Sequence, residues 1–79
     1  MTTVWILMKG ERSEGGEVLE VFADRDLALG RFVEEARIVD RTFGIANARQ
    51  ADDGGVHIAG GCDWLSLQPH GVTTRLQLA

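Results

Sequence analysis

Asp24-Arg25-Asp26-Leu27-Ala28-Leu29-Gly30-Arg31-Phe32-Val33-Glu34-Glu35-Ala36-Arg37-Ile38-Val39-Asp40-Arg41-Thr42-Phe43-Gly44 is the stretch whose reading decides the fold. Leu29, Phe32, Val33, Ala36 and Val39 recur at helical spacing, with Phe43 one turn further on, and Arg31, Glu34, Glu35 and Asp40 occupy the remaining face. Asp24 suits an N-cap because a short carboxylate accepts from the free N–H groups of a first turn, and Asp26 sits where the helix dipole favours negative charge. Gly44 suits the residue just past a helix end, which predicts a stop near Thr42 or Phe43. Gly30 costs about 1 kcal/mol against Ala in a helix interior; a close approach to a sheet would account for it.

An amphipathic helix needs an apolar surface to cover, and the flanking sequence supplies strands. Residues 2–9 read as a strand with Val4, Ile6 and Met8 on one face and Trp5, Leu7 and Lys9 on the other, both largely apolar. Gly10-Glu11-Arg12-Ser13-Glu14-Gly15-Gly16 is a polar, glycine-rich loop, and residues 17–22 return as a second strand. Beyond the helix, residues 45–51 and 56–59 read as strands around the hairpin tip Asp52-Asp53-Gly54-Gly55. Gly60-Gly61 reads as a bulge or bend, residues 63–68 as a short strand, Pro69-His70-Gly71 as a turn and residues 72–78 as a last strand. In that last strand Val72, Thr74, Leu76 and Leu78 share a face. The expectation is an α+β fold: one amphipathic helix packed on an antiparallel sheet of about four to five short strands, in the order ββα followed by β-hairpins. Seventy-nine residues make one domain, 1–79.

Val4-Trp5-Ile6-Leu7, Glu17-Val18-Leu19-Glu20-Val21-Phe22 and Asp24-Arg25-Asp26-Leu27-Ala28 together resemble the opening of short uncharacterised proteins of actinobacteria and their phages. The resemblance covers residues 3–40 and implies a small domain with a ββα N-terminal half; it transfers no site residues. Seven of the eight basic residues are Arg, a bias typical of GC-rich genomes.

Charge and cysteine usage narrow the function classes. Twelve acidic and eight basic residues give a net charge of -4, with nine of the acidic groups in residues 1–40. No basic cluster is visible, which disfavours direct nucleic-acid binding, and no apolar run approaches the roughly 20 residues that span a bilayer. Cys62 is the only cysteine, so no internal disulfide forms and a reducing compartment, the cytoplasm, is expected. A domain this small buries only about 60% of its unfolded surface and commonly gains stability by self-association. A homodimer is therefore expected.

Chemistry-bearing motifs are weak. His57, Cys62, Asp63 and His70 follow a His-x4-Cys-x7-His spacing that matches no standard zinc pattern. Their plainer reading is a surface His57, a buried Cys62 and a turn His70, with neither metal nor cofactor expected. A Cys62/His57 nucleophilic pair lacks a nearby cation or helix N-terminus to depress the thiol. Glu34-Glu35 and Asp52-Asp53 suit solvated positions, and no glycine pair forms a phosphate-binding loop.

Two tryptophans remain. Each suits a core aromatic, or else a protein-binding anchor. If the helix covers Val4, Ile6 and Met8, then Trp5 and Leu7 need another cover, which makes Trp5, Leu7 and Trp64 the candidate partner-binding residues. The leading expectation is a non-enzymatic protein-interaction module that binds a partner or a second copy of itself through a sheet face or edge. The alternatives are a phage or mobile-element inhibitor of a host enzyme or defence complex, and a minimal metal- or Cys-dependent enzyme using His57, Cys62 and His70.

Overall fold

The computed structural model describes residues 2–72. Its elements run β1 (Thr2–Glu11), β2 (Gly15–Phe22), α1 (Arg25–Phe43), β3 (Asn47–Gln50), β4 (Val56–Gly60) and β5 (Asp63–Val72). The strands form one sheet in the order β2-β1-β5-β4-β3, antiparallel at every ladder. The helix lies on one face of it, so the fold is α+β. Among the described residues no helix is long and apolar enough to cross a membrane.

The helix forms for the reasons its sequence supplies. The Asp24 carboxylate accepts from the Asp26 N–H at 3.2 Å, and the Gly44 N–H donates to the Asp40 carbonyl at 2.8 Å with Gly44 at a φ of 74°. Its buried stripe is rotated from the one expected. Ala28, Phe32 and Val39 are buried, Leu29 and Ala36 pack at the margin, and Val33 is exposed. Gly30 is also exposed, and a Cβ built there meets no heavy atom within 4 Å, so no close approach to the sheet explains it.

The larger correction concerns β1. Leu7, not Ile6, lies under the helix: it is fully buried in one cluster with Ala28, Phe32, Val39, Ile58, Leu65 and Leu67. The register accounts for this, because Leu7 stands directly beside Leu67, and Lys9 beside Leu65, on the central pair β1 and β5. Cross-strand partners share a face. Trp5, Leu7, Leu65 and Leu67 therefore face α1, and Val4, Ile6 and Met8 face away. A strand apolar on both sides gives no periodic signal of which side is core.

An irregularity in β2 supports the same arrangement. The register with β1 shifts between Leu7↔Glu20 and Met8↔Val18, which leaves Leu19 as an extra residue. Leu19 packs against the core, and Glu20 reaches Arg31 of the helix at 3.7 Å. Arg31 also donates to Glu35 one turn along.

Two turn readings change as well. The Gly60-Gly61 pair is no bulge: β4 ends at Gly60, which pairs with Asp63, and Gly61-Cys62 is a two-residue hairpin turn with Gly61 at a φ of 59°. Glycine is favoured at the first position of such turns. Cys62 is consequently exposed rather than buried. Pro69-His70-Gly71 is no turn either, because β5 runs through it and pairs with β1 as far as Thr2↔Val72. The last β4 partner of β5 is Leu67. Pro69 thus lies where β5 has a neighbour on one side only, which is where a strand tolerates proline. The strand expected over residues 72–78 lies outside the described residues beyond Val72.

Candidate functional site

The sheet face opposite the helix is the distinctive surface of this molecule. Its half on β2 and β1 is apolar. Met8 pairs with Val18 and Ile6 with Val21, Val4 continues the row along β1, and Val18 and Val21 are each 53% exposed. No charged side chain interrupts this row of five. Among the described residues no other element packs over it, since α1 makes its contacts from the opposite side.

The other half of the face, on β5, β4 and β3, is aromatic and polar. Trp64 of β5 leans across the sheet over two glycines. A Cβ at Gly10 would stand 2.6 Å from Trp64 Cζ2, and one at Gly16 would stand 2.5 Å from the same atom. The edge of the ring therefore takes up space that a side chain at either position would need, and at Gly10 the Gly15 carbonyl closes that space as well. His57 of β4 stacks beside it, the ring centroids 6.2 Å apart and the planes inclined by 18°. Ser66, although it points away from the helix, is 4% exposed beneath these side chains. His57 pairs across the ladder with Arg49 of β3. Burial, and then the charge of Arg49, hold the His57 imidazole below its usual pKa.

A shallow depression of about 430 Å³ opens at this half, lined by Met8, Arg12, Arg49, His57, Trp64 and Gln68 among others. Cys62 and Asp63 also border it, whereas His70 does not. Among the described residues no three His, Cys, Asp or Glu side chains gather as metal ligands.

The three residues singled out from the sequence are thus separated. Leu7 is fully buried under the helix and has no surface to offer a partner. Trp5 is on the helix side at one end of the sheet, where the Arg25 guanidinium carbon lies 5.3 Å from the ring centroid. Arg25 also donates to the Gly54 carbonyl at 3.2 Å, so the β3–β4 turn closes over the same ring. Trp64 alone is on the open face. Sequence reasoning missed Val18 and Val21 as its edge and Arg12 and Arg49 as its cations. The alternation of Leu65 and Leu67 with Ser66 and Gln68 held the signal for the core face, but only with the β1–β5 register known.

No family model matches the chain, and no curated protein or solved structure shows significant similarity to it.

Proposed function

We propose that this chain is a non-enzymatic protein-interaction module of the cytoplasm that self-associates through the open sheet face. The observation that carries the reading is the uncharged row Val4, Ile6, Met8, Val18 and Val21 on a face that nothing among the described residues covers. A sheet apolar on both faces is stable in water only when both are covered.

The occupant that suits this face is a second copy. A two-fold dimer presents the same patch from both sides, so an uncharged row meets its own like without leaving a buried charge unpaired. The row on β1 and β2 takes up about half of a face roughly 30 by 20 Å. That is below the ~800 Å² per partner of a standard interface, so the dimer is a weak one that forms as concentration rises. The edges suit the role less well. β2 carries a register irregularity with Glu17 and Glu20, and β3 is only four residues long, both of which discourage strand addition. The open face carries Arg12 and Arg49, so charge mimicry of nucleic acid, one way for an inhibitor to act, would need another face.

Sedimentation equilibrium tests the reading. A concentration-dependent dimer is expected for the full chain, and Val21→Lys should shift it to monomer with its circular dichroism and thermal transition kept. A wild-type monomer at high micromolar concentration would rule out self-association.

A further inference from the structure

We propose that the depression over Trp64 and His57 is a binding site for a small ligand that combines a flat aromatic ring with an anionic group. The platform is built rather than incidental. The edge of the Trp64 ring rests against Gly10 and Gly16, where any side chain would collide with it. The His57 ring lies nearly parallel to the indole, and both rings line the depression. Aromatic rings that line a depression favour stacking of another ring.

The rim supplies the second half of the recognition. Arg49 and Arg12 border the depression, and neither guanidinium has a carboxylate within ion-pair distance among the described residues. Arg12 is held there by its backbone, whose N–H donates to the Cys62 carbonyl at 2.7 Å and ties the β1–β2 loop to the β4–β5 turn. Burial first, and then the charge of Arg49, lower the pKa of His57. Two uncommitted cations stand beside a stacking platform on a chain of net charge -4. Guanidinium groups bind carboxylates and phosphates in bidentate fashion. The volume of about 430 Å³ suits one ring and its substituent. The site adjoins the apolar row, with Met8 common to both, and all of its residues come from one copy of the chain.

Nuclear magnetic resonance of the full chain tests this directly, reading the Trp64 indole N–H and the His57 ring. Adenosine 5′-monophosphate and 4-hydroxybenzoate are the charged probes; adenosine and inorganic phosphate are the separated halves of the first, and phenol and formate those of the second. Saturable shifts are expected with at least one charged probe, at least about tenfold tighter than with either half. The better of the two charged probes tells a phosphate ligand from a carboxylate one. Binding should weaken as salt rises from about 0.01 to 0.5 M, and Arg12→Gln combined with Arg49→Gln should weaken it by about tenfold or more. Both arginines are exposed, so the double variant should keep the wild-type spectrum elsewhere. The proposal is overturned if neither charged probe shifts the Trp64 signals at about 10 mM. It is equally overturned if a separated half binds as tightly as the charged probe, or if binding is insensitive to salt.

Discussion

Gly16 and Trp64 show how one small residue can specify a surface. The Trp64 ring occupies the volume that a side chain at Gly16 would need, at 2.5 Å from a Cβ built there. Gly16→Ala should therefore destabilise the protein in the wild-type background and less in a Trp64→Leu background, where the Lys9 carbonyl, 2.9 Å from the built Cβ, still opposes it. A double-mutant cycle by urea denaturation is expected to give a coupling of about 1 kcal/mol or more between the two sites; additive effects would show that the ring can move aside freely. His57 carries a second residue-scale consequence. Burial first and Arg49 second lower its pKa in the folded state below the usual 6.5. The unfolded chain then binds more protons as the pH falls through that region, so the contribution of a neutral His57 to stability is complete above pH 6.5 and is lost as the pH drops below it. Urea denaturation across this range should show a steeper acid-side loss for wild type than for His57→Gln, and parallel profiles would refute the assignment. Little of this was legible in the sequence. Trp64 was marked as a candidate, but the two glycines beneath it read only as loop residues, because their purpose depends on a register that pairs Gly10 with both Gly16 and Trp64.

At the scale of elements, legibility followed the locality of the signal. The helix was readable because its caps and stripe lie within one stretch, and Asp24, Gly44 and the end at Phe43 are where that stretch placed them. The Asp52-Asp53-Gly54-Gly55 tip is likewise local: the Gly55 N–H donates to the Asp53 carboxylate at 2.9 Å and the Ala51 N–H to the Gly55 carbonyl at 2.8 Å. Elements set by neighbours were not readable. Pro69 ends no strand because its position beside β1, beyond the reach of β4, makes proline tolerable. The core face of β1 was misassigned because only its alignment with Leu65 and Leu67 of β5 decides between two apolar sides. The helix also yields a prediction. Gly30 is exposed and unobstructed within α1, so Gly30→Ala should raise the unfolding free energy by about 0.5–1 kcal/mol. A loss of stability in thermal or urea denaturation would mean that the space above Gly30 is used in the folded protein.

At the scale of the molecule, one helix covers one face of a five-stranded sheet and leaves the other to make its own arrangements. Half of that open face is an aromatic and arginine-rimmed platform, and half is the uncharged row from Val4 to Val21. The central claim is that the second half is the contact between two copies. Methyl spectra recorded across a dilution series test it most directly, because they report side-chain burial on a named face rather than mass alone. The account predicts that the methyl signals of Val4, Ile6, Met8, Val18 and Val21 shift together with concentration, while those of Leu27 and Val33 on the exposed side of the helix stay fixed. Signals that do not move over the whole series, or movement confined to Leu27 and Val33, would contradict it.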